Sequence, residues 1–111
     1  MTVMRTSHKK QLVTGAGAIN TTGAALTSQA TLEAITIHVG VAANAVENLV
    51  VTVDAIDGAA YDTVLLTQAM AGVTDVALTD LGIPLYAGDA LKVLWANTDG
   101  RTIGVRLCLE D

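Results

Sequence analysis

A chain of 111 residues is the length of one domain, and its formal charge of −5 is unevenly placed. Residues 1–31 carry three cations and no carboxylate, whereas residues 32–111 carry three cations and all 11 carboxylates. The apolar half is built from 18 Ala, 13 Val, 13 Leu and 6 Ile, which excludes a disordered chain, and Cys108 stands alone, which excludes an intramolecular disulfide framework.

The N-terminal residues Met1–Lys10 have no apolar stretch behind their basic side chains, so no secretory signal is expected and the chain is read as folding in a reducing cytoplasm. From Gln11 to Thr31 the sequence is rich in Gly, Ala and Thr, with neither a helical stripe nor sustained alternation. Gly15, Gly17 and Gly23 would each cost about 1 kcal/mol relative to Ala inside a helix. Residues 1–31 therefore read as an extended basic arm, within which 11–13 and 24–26 form short strands or docking contacts. The arm is either a soluble leader or a segment that orders against an acidic neighbour such as another copy.

From Leu32 the period becomes two, the mark of half-buried strands. Ile35, Ile37, Val39 and Val41 share one face, as do Leu49, Val51 and Val53 after them. Asp57-Gly58 is a turn signal, and a strand over 61–68 follows, with Leu65 and Leu66 on opposite faces and both faces covered. Residues 74–81 read as a short strand, and Pro84 makes 82–89 an edge strand or a connection. Leu91, Val93 and Trp95 form one inward row, Ile103, Val105, Leu107 and Leu109 another, and the Asn97–Arg101 turn between them predicts a hairpin. Short strands with regular turn signals predict an all-β fold, an antiparallel β-sandwich over 32–111 carrying the extended N-terminal arm.

Residues that could carry chemistry are few. His8 and His38 would form a metal pair only if the arm folded back, Ser7 and Ser28 lack a nucleophile-elbow context, and the Gly15–Ala18 stretch lacks the Lys-Ser/Thr of a phosphate loop. The carboxylates Asp54, Asp57, Asp62, Asp75, Asp80 and Asp99 fall in turns and do not follow the alternating spacing of a calcium loop. No cofactor or metal is implied. An acidic body lacks the clustered Lys and Arg that phosphates attract, and every apolar run is too short to span a bilayer, so neither nucleic acid nor membrane is expected as a partner. A carboxylate hydrolase would need a pocket joining Asp54, Asp62 and His38. A sugar-binding module would need Tyr61 or Tyr86 exposed, whereas Trp95 reads as core. Ala34, Thr36, Val50, Leu66 and Cys108, all placed outward, are less polar than a solvated sheet face requires and suggest a surface for association.

Three stretches carry a resemblance: 49–54 leading through Gly58-Ala-Ala-Tyr-Asp-Thr-Val-Leu65, then Pro84-Leu-Tyr-Ala-Gly-Asp-Ala-Leu-Lys-Val93, then Ala96-Asn-Thr-Asp-Gly-Arg-Thr-Ile-Gly104. Over roughly residues 32–111 the chain resembles small virion proteins of tailed bacteriophages, the jelly-roll or related β-sandwich decoration (cement) proteins. That resemblance implies a non-enzymatic protein on the capsid surface of a virion, bound to the major capsid protein and to copies of itself as a trimer or dimer. It implies that the arm contacts the shell, and Arg5, Lys9, Lys10, Leu12 and Val13 are the expected contact residues. The alternative is a tail, baseplate or fibre module acting as an assembly adaptor or a receptor- or glycan-binding head.

Overall fold

The structure, a computed structural model, describes residues 8–111. Nine strands follow one another: β1 (His8–Gly15), β2 (Ile19–Thr22), β3 (Ala30–Val39), β4 (Asn48–Asp54), β5 (Thr63–Ala69), β6 (Asp75–Leu78), β7 (Ile83–Leu85), β8 (Ala90–Trp95) and β9 (Ile103–Glu110). They form two antiparallel sheets, one ordered β1-β9-β3-β6 with β7 also on β3, the other ordered β2-β8-β4-β5. The five-stranded and the four-stranded sheet make a β-sandwich whose strand order interleaves as in a jelly roll, the chain crossing between sheets at most of its connections.

The period-two rows fill the space between the sheets. Ile35, Ile37, Val51, Val93, Trp95, Val105 and Leu107 are all at most 2% exposed, with Val53 at 7%. Val41 does not continue its row: β3 ends at Val39, and Val41 lies in a bend with its side chain exposed. In β5 a bulge reverses the expected alternation. Val51 pairs with Leu66 but Thr52 pairs with Val64, so Leu66 turns toward the core with Leu65 packed beside it, while Val64 faces out. β5 is an edge strand with an exposed outer row rather than one covered on both faces. Pro84 lies in the three-residue edge strand β7, where a missing N–H is tolerated.

The segment 1–31 does not stand apart from the body in its described part. β1 pairs with β9 from His8↔Glu110 to Gly15↔Ile103, and β2 pairs with β8 from Ile19↔Trp95 to Thr22↔Lys92. Val13 and Ile19 are buried in the core. The reason is topological: in a jelly roll the first two strands close the edges beside the last two. Residues 24–26 form no strand, but Leu26 exchanges backbone bonds with the 86–89 turn, donating to Asp89 O (2.8 Å) and accepting from Gly88 N (2.7 Å). That turn holds a second element: Ile56 packs where a Cβ on Gly88 would stand, 2.7 Å away, and Gly88 has a φ of +94° that side chains disfavour.

β8 and β9 are not a hairpin. They lie in different sheets, and 96–102 arches from one to the other. Either arrangement turns both apolar rows inward, so alternation does not distinguish them. Asn97 sets the arch, buried and left-handed at φ +46°. Its Nδ2 donates to Gly17 O and to Arg101 O, both at 2.9 Å, and its Oδ1 accepts from Arg101 N at 2.9 Å. One carboxamide thus ties this arch to the neighbouring crossing between β1 and β2. Asn97→Ala removes these bonds and puts a Cβ-bearing residue without Asn's local partners in the left-handed region, an expected loss of about 2–4 kcal/mol. Asn97→Gly relieves the backbone and should lose less. Urea unfolding followed by Trp95 emission measures both, and equal costs would remove the backbone's share.

Candidate binding face

Residues opposite each other in an antiparallel ladder share a face. The registers therefore build the outer surface of the larger sheet in rows across four strands. Leu12, Arg106, Thr36 and Ala77 form one row, Thr14, Gly104, His38 and Asp75 the next, and Lys10, Cys108 and Ala34 a shorter third. A shallow recess of about 450 Å³ lies over the middle of these rows. Its floor is Gly104, where nothing stands within 4 Å of the position a Cβ would take. A second depression of about 330 Å³ adjoins it, lined by Lys9, Lys10, Glu33, Arg106, Cys108 and Glu110.

The face is mixed in chemistry. Leu12 is 62% exposed beside the guanidinium-bearing Arg106, and Ala34, Thr36 and Ala77 add little polarity. His38 Nδ1 lies 2.8 Å from Asp75 Oδ1 at the rim, both side chains well exposed. The His38 hydrogen bond, followed by one from the Thr74 side chain, holds the Asp75 carboxyl below the ordinary aspartate value against a smaller opposing effect of burial. An open surface spanning four strands suits a flat partner better than an engulfed small molecule.

Of the expected contact residues, Lys10 and Leu12 lie on this face, joined by the outward residues Ala34, Thr36 and Cys108. Lys9 is held by Asp111 at 2.9 Å. Val13 faces the core at 3% exposure, because the residue opposite it is the inward Val105, and it cannot meet a partner. Arg5 lies outside the described residues. Val50 faces out from the other sheet, and Leu66 faces in. The contributions of Arg106, Gly104 and Asp75 were not anticipated, although the outward alternation of the last strand was the signal that could have found Arg106 and Gly104.

Asp54 and Asp62 border a depression on the outer face of the smaller sheet, whereas His38 is on the outer face of the larger, so these three do not make one site. His8 sits opposite Glu110, six residues along β1 from Thr14 in the His38 row, about 20 Å at strand spacing. Among the described residues no group of three His, Cys, Asp or Glu is placed to hold a metal ion.

Tyr61 and Tyr86 are 65% and 55% exposed and flank one recess of about 250 Å³ between β5 and β7, with Val53, Leu65, Ile83 and Leu85 along it and Asp57 and Thr63 at its border. Buried Asp89 fixes the two turns that carry them, accepting from Ile56 N (3.0 Å) and Tyr86 N (2.9 Å). No protein-family model matches the chain, and a comparison with curated proteins finds no match.

A lowered carboxyl pKa means that the His38–Asp75 pair contributes stability above the ordinary aspartate value and loses it as pH falls through the lowered one. A carboxyl-carbon NMR titration should place the Asp75 midpoint below that of an unperturbed aspartate, and His38→Ala should raise it. An unmoved midpoint would mean that the pair does not persist in solution.

Proposed function

We propose that the chain is a non-enzymatic structural protein of a tailed-phage virion that decorates the capsid, docking through the outer face of its larger sheet. The observation that carries this reading is the continuity of Lys10 and Leu12 with the open recess over Gly104, on a face that no described segment covers. Jelly rolls occur in viral capsid and lectin domains, which fits the reading at the level of fold, although fold alone does not determine function. The partner is the major capsid protein, and the cations Lys10 and Arg106 meet acidic groups on it while Leu12, Ala34 and Ala77 are desolvated. Many weak copies on a repeating shell bind together more tightly than one.

Deletion of all 31 N-terminal residues is unsuitable as a test, since it removes β1 and β2. The double variant Lys10→Glu/Arg106→Glu keeps both strands and reverses the charge of the face. Co-sedimentation with undecorated heads of the encoding phage should show at least tenfold weaker retention for this variant, with unchanged Trp95 emission. Undiminished retention would overturn the docking face, and absence of the wild-type chain from purified virions would overturn the whole reading.

The exposed tyrosines favour a second reading, a saccharide-binding head of a tail or fibre. Each ring offers an apolar face to the C–H surface of a sugar, while Asp57 and Thr63 present oxygens to its hydroxyls. Saturation-transfer NMR against host surface glycans should give signals that Tyr61→Ala/Tyr86→Ala abolishes; if no glycan receives saturation from the wild-type chain, this reading fails.

A further inference from the structure

Every open sheet leaves edge strands whose N–H and C=O groups can pair with another strand, and proteins guard them with charge, proline, bulges or brevity. The edges of this sandwich are guarded unequally. β1 carries Lys9 and Lys10, β6 has four residues and begins at Asp75, β7 has three and contains Pro84, and β2 has four. β5 has seven residues, Thr-Val-Leu-Leu-Thr-Gln-Ala, with no charge and no proline. Its one guard is the bulge at Leu65, and beyond that Leu66–Ala69 pair regularly with β4. Along the outer side an uncharged row, Leu94, Val50 and Thr67, runs across three strands to this edge. Leu94 is 44% and Val64 57% exposed.

We propose that β5 pairs antiparallel with β5 of a second copy about a two-fold axis, joining the two smaller sheets into one continuous sheet. The free backbone groups call for a β-strand, and charge selects which one. Two copies each carrying −5 repel over most of their surfaces, but a two-fold axis brings a strand against itself, and an uncharged strand meets no like charge there. The row Leu94–Val50–Thr67 then continues into its symmetry mate instead of ending in water. This concerns association alone and is tested without virions, so its failure and the failure of the docking reading are separate results.

Thr67→Lys and Val64→Lys place a charge on outward, exposed side chains of β5 and leave the inward row intact. Light scattering coupled to size exclusion, over a range of concentrations, should give twice the chain mass for the wild type. Each variant should weaken association at least tenfold while retaining the wild-type circular dichroism. Amide exchange should show protection within 63–69 that grows with wild-type concentration and is lost in Thr67→Lys. A wild type that remains a single chain, a trimer, a dimer indifferent to both variants, or concentration-dependent protection confined to another edge would each overturn the proposal.

Discussion

The pairing of the chain's beginning with its end is the contact on which the rest of the sandwich depends. β1 lies along β9 and β2 along β8, so that Thr14 donates its hydroxyl to Ile103 O across 89 positions of sequence. Closing a loop of that length costs about 4 kcal/mol of chain entropy on logarithmic scaling, but it is closed once, and both ladders then form beside it. Val13 and Ile19 become core residues only through this closure. The N-terminal segment is therefore both the least locally determined part of the fold and a necessary wall of its interior. Non-local pairing of this kind also implies slow folding relative to a helical domain of equal length.

Because the sheets are joined by arches, the connections face a problem that hairpins solve for themselves: their backbone N–H groups have no ladder partner. The chain answers with side chains. Asn97 serves 96–102 and reaches Gly17, while Asp89 serves 55–57 and 86–89 together. Asp99 accepts from Ala45 N (3.0 Å) and Asn44 N (2.7 Å), and these bonds, the Ala45 one foremost, hold its carboxyl below the ordinary value; Glu47 accepts from Thr98. These bonds fix the positions of the turns at both ends, and thereby the exposed tyrosines at one of them. Rigid turns over a packed core are what a recess needs to keep its shape without a ligand.

β3, β4, β8 and β9 were legible because each buries a continuous row, largely of branched aliphatics, which alternation reports directly, and Trp95 announced itself as core by its place in such a row. β1 was legible only at 11–13 and β2 not at all, because an edge strand buries little: of the inward positions Lys9, Gln11, Val13 and Gly15, one is a branched aliphatic. The bulge in β5 was invisible for a related reason, since Leu65-Leu66 fits either parity. The hairpin expected between β8 and β9 failed because alternation fixes which side faces the core but not which sheet a strand joins. On the outer face of the larger sheet, Lys10 and Leu12 were singled out as expected contacts, whereas Arg106 and Gly104 become neighbours of Leu12 and Thr14 only through a register that spans almost the whole chain.

The acidity of the body has a structural origin in this arrangement. Asp62, Asp89, Asp99 and Glu47 each accept from backbone N–H groups in connections, Asp111 meets Lys9, and Asp75 meets His38. Carboxylates suit that work because an ionised acceptor makes a stronger bond to N–H than a neutral one does. Part of the net charge of −5 thus follows from how the arches are held. Its consequence is felt outside the molecule. Charge gathered in the connections leaves the strands' outer rows comparatively neutral, so the sheet faces and edges are where another protein can approach without opposing the field of the whole.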